Sequence, residues 1–154
     1  MGVQIGNLKM KARKVIDNLT NISIQNSKII VSNLYDELVE NTPKDTGEAM
    51  ASWNISSNDV TAYSRKNLAV PRSASDAEKA ANYSAIRAFQ TSLKLQVVEA
   101  IGLDGKIRIV ITNGARHIRL LEYKGRSEQA PYGWVRRAVR KASRGLLGAT
   151  VNLE

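Results

Sequence analysis

The amino-acid sequence has 154 residues, the length of one ordinary domain, and its 43% hydrophobic content is enough to bury a core. It contains no cysteine, which excludes disulfide bonds, thiolate metal sites and cysteine nucleophiles and fits a reducing compartment. The N-terminus lacks the pattern of a secretory signal and no apolar run reaches the length of a membrane span, so we expect a soluble protein made inside the cell.

The formal net charge of +9 is concentrated in the last third of the chain. Residues 106–144 contain 11 Lys or Arg and only two acidic residues, Glu122 and Glu128, whereas the rest of the chain contains 12 of each sign. This asymmetry predicts a local basic surface, whose partner is either nucleic acid or an acidic protein face.

Residues 5–40 have the apolar spacing of an amphipathic helix. Apolar side chains recur every three or four residues in two stretches: Ile5, Leu8, Ala12, Val15, Ile16 and Leu19, then Ile30, Val31, Leu34 and Leu38. The polar patch at residues 20–27 is compatible with two helices or one, and we favour one because no Gly or Pro interrupts it. Pro43 ends the helix, since the residue before a proline is pushed out of helical geometry.

A turn and a strand are predicted after this helix. Residues 44–47 are Lys-Asp-Thr-Gly, a sequence with turn chemistry, because Asp and Thr bond nearby backbone and Gly47 accepts a positive φ. The alternation from Met50 to Ser57 predicts a strand with Trp53 and Ile55 on its buried side.

The middle of the chain is predicted to contain a loop and a helix. Residues 61–72 are polar and indicate the loop. Ser75 and Glu78 then match a capping box, and the alanine-rich run from residue 76 to residue 91 favours a helix.

A hairpin is predicted next. Residues 93–101 alternate and are compatible with a strand or with an extension of the helix; we favour the strand. Asp104-Gly105 is a strong hairpin turn, and residues 106–112 are the clearest strand in the sequence.

The chain closes with a predicted basic helix. After a Gly/Ser loop at residues 125–129, Pro131 suits the first turn of a helix over residues 132–147. Its apolar side holds Val135, Ala138, Val139, Ala142 and Leu146, and its basic side holds Arg136, Arg137, Arg140, Lys141 and Arg144. The predicted fold is one α+β domain over residues 1–154: a long N-terminal helix, a small antiparallel sheet, a middle helix, a C-terminal basic amphipathic helix and a flexible tail at 149–154.

The sequence offers little for catalysis. The single histidine, His117, has no cysteine to activate and is flanked by Arg116 and Arg119, which indicates a surface residue in a basic patch. The carboxylates Asp36, Glu37 and Glu40 lack further metal ligands nearby, so we expect them to be solvated. No phosphate-binding loop is present. We therefore expect neither an enzyme nor a cofactor or metal.

Two segments resemble a family of small neck or tail-completion proteins of tailed bacteriophages. The first runs from Asn41 to Trp53 and matches the Pro-x-Asp-Thr-Gly turn and strand start of that family at Pro43, Asp45, Thr46, Gly47, Ser52 and Trp53. The second matches its Glu-aromatic-Gly turn and Ala-Pro before a last helix at Glu122, Tyr123, Gly125, Ala130 and Pro131. Lys124 is an extra residue in this second block, and the helix over residues 74–91 resembles an insertion, since no pattern of the family covers it.

The resemblance implies a structural role in the virion. It implies a closed ring of six or twelve copies, six being favoured, between the connector or head-closure protein and the tail-tube or tail-terminator protein. Residues of both blocks would be structural, and the ring contacts would use the N-terminal helix, the 61–72 loop and the basic helix. We expect the basic face to meet an acidic neighbour, although contact with genome DNA stays open. The alternative is a small basic DNA-binding protein with sequence-independent phosphate contacts, and a nuclease or toxin using His117 is a third.

Overall fold

A computed structural model describes residues 5–57, 62–102, 108–124, 128–129 and 132–144, and gives their side chains from residue 23 onward except at 123 and 143. Within these ranges the elements are α1 Ile5–Asn41, α2 Glu48–Ala51, β1 Trp53–Ser57, a 3-10 turn at Lys66–Leu68, α3 Asp76–Glu99, β2 Ile109–Asn113, α4 Ile118–Lys124 and α5 Trp134–Ser143. The α+β class, the long first helix and the C-terminal helix are as predicted.

Helix α1 is continuous over 37 residues, as expected from the absence of Gly and Pro in its second half. At 1.5 Å per residue it is about 55 Å long. It ends at Asn41, two residues before Pro43, and Thr42 Oγ1 donates to the carbonyl oxygen of Leu38 at 2.6 Å. This bond satisfies one of the carbonyls that every helix end leaves without a partner.

The sheet consists of β1 and β2, which pair antiparallel with Trp53 opposite Asn113 and Ile55 opposite Ile111. Trp53 and Ile55 are buried, as predicted. The predicted strand start at Met50 is wrong, because residues 48–51 form α2, in which Ala51 N donates to Gly47 O at 2.9 Å. Glu, Ala and Met are good helix formers, and a four-residue helix is too short to show a periodicity.

The second face of β1 is also covered, which the alternation did not predict. Ser52 and Asn54 are buried although they point away from Trp53 and Ile55. Asn54 Nδ2 donates to the carbonyl oxygens of Ser52 at 2.8 Å and Tyr63 at 3.1 Å. The loop after β1 therefore covers this face and supplies the hydrogen bonds that a buried amide needs. β2 begins at Ile109, and the Asp104-Gly105 turn lies outside the described residues.

Helix α3 begins at the predicted capping box and is longer than predicted. Glu78 N donates to Ser75 Oγ at 3.2 Å and Ser75 N donates to Glu78 Oε2 at 2.7 Å. The helix continues to Glu99, so the strand predicted at residues 93–101 is wrong. Of the residues that alternate there, Leu93 and Val97 lie one helical turn apart and pack against the core, whereas Leu95 is exposed.

The core lies between α1, α3, α5 and the sheet. Its buried residues are Tyr35, Leu38, Val39, Met50, Ala51, Trp53, Ile55, Ile86, Trp134 and Ala138. Ile86 belongs to this core, so the middle helix is an integral part of the packing whatever its origin. Among the helices that the structure describes, none has both the length and the hydropathy to cross a bilayer.

Candidate functional site

The Asp-Thr-Gly turn of the first block is fixed by contacts from two directions. Gly47 has φ +87°, a backbone conformation that favours glycine, and a Cβ at this position would lie 2.8 Å from Ile86 Cδ1, so that side chain would have to shift. Tyr83 Oη donates to Asp45 O at 2.7 Å, and Val70 N donates to Thr46 O at 2.9 Å. The turn thus holds α3 and the loop before it against the end of α1.

Trp53 ties three elements together. Its indole Nε1 donates to Thr42 Oγ1 at 2.7 Å, which joins β1 to the end of α1. Its ring meets Trp134 of α5 edge to face, with the centroids 6.2 Å apart. Aromatic pairs favour this geometry, and both rings are buried. The first block therefore joins the end of α1 to β1 and to α5.

The second block holds the start of α5 through a buried carboxylate. Glu122 is 5% exposed, and its side chain accepts hydrogen bonds from Val135 N at 2.9 Å and Arg136 N at 3.2 Å. Arg136 Nε also donates to Glu122 Oε1 at 3.0 Å. Hydrogen bonds to Tyr132 and to Glu122 raise the pKa of the Arg136 guanidinium. A carboxylate at this position accepts hydrogen bonds from N–H groups of the first helical turn and is stabilised by the positive end of the helix dipole.

The remaining residues of the second block are only partly described. Tyr123 lies in α4, and Gly125, Ala130 and Pro131 lie outside the described residues. α5 begins at Trp134, two residues later than predicted, because Gly133 with φ +73° precedes its first turn.

The two blocks meet through Gln129, about 80 residues from the turn. Lys44 N donates to Gln129 Oε1 at 2.6 Å, and Gln129 Nε2 donates to Lys44 O at 3.0 Å. The side-chain amide thus pairs with one backbone unit as a neighbouring strand would. Gln129 belongs to the segment that carries the second resemblance, but its contact with Lys44 was not predicted, since a glutamine in a polar loop carries no signal of its partner.

A cleft of about 660 Å³ opens beside this contact. It is lined by Pro43, Lys44, Asp45, Thr46, Gly47, Glu48, Ala49, Lys66, Arg72, His117, Leu120, Leu121 and Gln129. His117 is half-buried here. The two carboxylates of the cleft are already engaged, Asp45 with Arg72 at 2.9 Å and Glu48 with Ser64 Oγ at 3.3 Å.

The predicted basic face of α5 is narrower than expected. Arg136 does not belong to it, because its guanidinium turns inward to Glu122 and lies 5.2 Å from the Tyr132 ring centroid. The other four residues are exposed and follow the i, i+3, i+4, i+7 spacing of one helix face. We call this set the basic stripe: Arg137, Arg140, Lys141 and Arg144. Lys141 Nζ lies 3.5 Å from Glu37 Oε2 of α1.

The three carboxylates near the end of α1 form ion pairs with three different cations. Asp36 pairs with Lys94 at 2.6 Å, Glu37 with Lys141, and Glu40 with Arg87. The hydrogen bond from Arg87 lowers the pKa of Glu40. No cluster of three or more His, Asp or Glu suited to a metal ion occurs within the part of the chain that the structure describes.

A buried polar network around α2 was not predicted. Gln90 Nε2 lies 3.0 Å from Met50 O and from Ala51 O and 3.1 Å from Trp53 O. Tyr35 Oη donates to Gln90 Oε1, and desolvation raises the pKa of Tyr35. Gln90 follows Ile86 by one helical turn, so it falls on the apolar side of α3, and that position was the available signal.

Comparison of the chain with protein-family models, with curated protein sequences and with solved structures finds no match in any of the three.

Proposed function

We propose that this chain is a structural, non-enzymatic subunit of the head–tail joining region of a tailed bacteriophage. It would form a closed ring, with six copies favoured over twelve, between the connector or head-closure protein and the tail-tube or tail-terminator protein. The virion would be its place of action.

One observation carries this proposal: the two sequence blocks that resemble the phage family pack against each other. Gln129, next to the second block, pairs with the backbone of Lys44 in the first, and Trp53 of the first block contacts Trp134 of the helix that the second block anchors. Contact between two motifs that lie far apart in the sequence is expected if both belong to the same inherited fold. Fold alone does not give function, so the proposal needs a direct test.

The length of α1 supplies a surface for the ring. Lys28 Nζ lies 3.5 Å from Glu99 O at the end of α3, and Gly102 lies against Ile24. Residues 5–22 of α1 therefore continue past the end of α3. The apolar stripe predicted for this half of the helix suits a heterologous contact, in which one face of a subunit meets a different face of the next.

The test is the oligomeric state of the purified chain by native mass spectrometry and negative-stain imaging. We expect a closed ring of defined size, six copies being favoured. Val15→Asp, on the apolar stripe, should break the ring and leave a folded monomer, because a buried carboxylate opposes the contact. Asn18→Asp adds the same charge off the stripe and should leave the ring intact. A monomer at submillimolar concentration that does not join phage particles would refute the proposal.

A further inference from the structure

The part of the chain after β2 presents a strongly cationic surface. Glu122 is buried against α5, so Glu128 is the one exposed carboxylate among its described residues. Seven of its described cations are exposed: Arg116, Arg119, Lys124, Arg137, Arg140, Lys141 and Arg144. The four residues of the basic stripe form the ordered part of this surface, because a single helix face sets their spacing.

Among the side chains that the structure describes, a second copy of the chain offers no matching acidic surface. Most carboxylates with described side chains are engaged within the chain: Asp36, Glu37, Glu40, Asp45 and Glu122 in ion pairs, and Glu48 and Glu78 with serines. Of the other three, Asp76 and Glu99 lie at opposite ends of α3, which spans 24 residues or about 35 Å. The unengaged carboxylates that the structure describes are scattered, whereas the cations of the basic stripe follow one helix face, which argues against a ring neighbour of the same sequence as their partner.

The dimensions of the basic stripe suit a polyanion with regular charge. From Arg137 to Arg144 the helix rises about 10 Å, an average of about 3.5 Å between successive cations, and each strand of duplex DNA carries one negative charge per about 3.4 Å of the axis. Three of the four residues are arginines, whose guanidinium groups bind phosphate in a bidentate manner. We infer that the basic stripe binds the phosphate backbone of a nucleic-acid duplex without reading its sequence.

This binding is a property of the subunit itself and does not depend on ring formation. Within the ring proposed above it would turn α5 toward the channel and the genome, and only that placement rests on the proposed function.

The test is fluorescence anisotropy of a labelled random-sequence duplex titrated with the full chain at several salt concentrations. Four phosphate contacts predict a slope of log K against log salt of about −3 to −4. R140Q/R144Q removes two contacts, so the magnitude of the slope should decrease by about two and binding should weaken several-fold. R72Q/K79Q removes the same charge from the loop and α3 and should bind like the parent chain, with melting temperatures verifying that both variants fold.

Three results would overturn the inference. The first is no binding at about 50 mM salt, where phosphate contacts are strongest. The second is equal weakening in the two double variants, which would mean that net charge and not the stripe attracts DNA. The third is a polyglutamate chain that competes with the duplex as well as unlabelled duplex does, since the partner would then be an acidic protein. Ring formation is measured separately, so either proposal can fail alone.

Discussion

Gln90 joins three parts of the chain at a point where backbone carbonyls are buried and need donors. Met50, Ala51 and Trp53 expose their carbonyl oxygens to the interior because α2 ends there and β1 begins. Arg65 shares the task, since its Nη1 donates to Ala51 O at 3.0 Å and Trp53 O at 2.8 Å. Burial lowers the pKa of Arg65, as expected for a cation drawn out of water.

Gln90→Met keeps the volume and removes the donors. We expect the free energy of unfolding to fall by about 1–3 kcal/mol, because Met50 O loses its side-chain donor and Tyr35 Oη loses an acceptor. Urea denaturation measures the change. Gln96→Met, at an exposed position of the same helix, is the control and should shift stability by less than about 0.5 kcal/mol. Equal stability of the two variants would contradict this role of Gln90.

Single residues differ in how much of their role was predictable. The turn conformation of Gly47 was predictable because the local sequence of a turn that needs positive φ is characteristic. Gln90 and Gln129 were not, because their partners lie about 40 and 85 residues away and hydrogen-bonding side chains carry no record of distant acceptors. Arg136 was assigned to the exposed basic face because helical spacing alone does not reveal that Glu122 lies at the start of α5 and pairs with it.

Helix α5 lacks a capping side chain of its own. Gly133 precedes it and offers no acceptor, so the N–H groups of Val135 and Arg136 depend on Glu122 of α4. A carboxylate from another helix thus accepts the hydrogen bonds that a Ser or Asp at the N-cap accepts in other helices. The arrangement makes the position of α5, and hence of the basic stripe, dependent on α4.

Glu122→Ala should lower the free energy of unfolding by about 2–3 kcal/mol, because it removes a buried acceptor of two backbone donors and of Arg136. Glu122→Gln keeps an acceptor without the charge and should lose roughly half as much. Urea denaturation gives the stability, and hydrogen exchange at the amides of Val135 and Arg136 reports the local effect. Glu128→Ala is the exposed control, and a loss in that variant equal to the loss in Glu122→Ala would contradict the capping role.

Helices and strands were predictable where they are long enough for a hydrophobic periodicity to appear in the sequence. α1 was placed correctly because apolar spacing over many residues and Pro43 agree. The end of α3 was assigned to a strand because Leu93, Leu95 and Val97 alternate, and a pattern of this length fits both periods. The short helix α2 contains four residues, too few for any period to appear.

The second half of α1 organises the whole molecule. Its carboxylates Asp36 and Glu40 pair with α3, whereas Glu37 pairs with α5, so the two helices pack on different sides of it. The sheet joins both, because Trp53 contacts Trp134 and Gln90 contacts Trp53. Each of these contacts therefore joins two elements, and the three helices and the sheet share one core.

This mutual dependence predicts that the core opens as one unit. Amide hydrogen exchange should give the same opening free energy for residues 34–39, 86–98 and 134–138, equal to the free energy of unfolding from urea denaturation. The reason is that loss of any one helix exposes the apolar faces of the others. If residues 134–138 instead exchanged at a clearly lower free energy, α5 would be an independently mobile element. The basic stripe would then be carried by a hinged helix and not by a fixed surface.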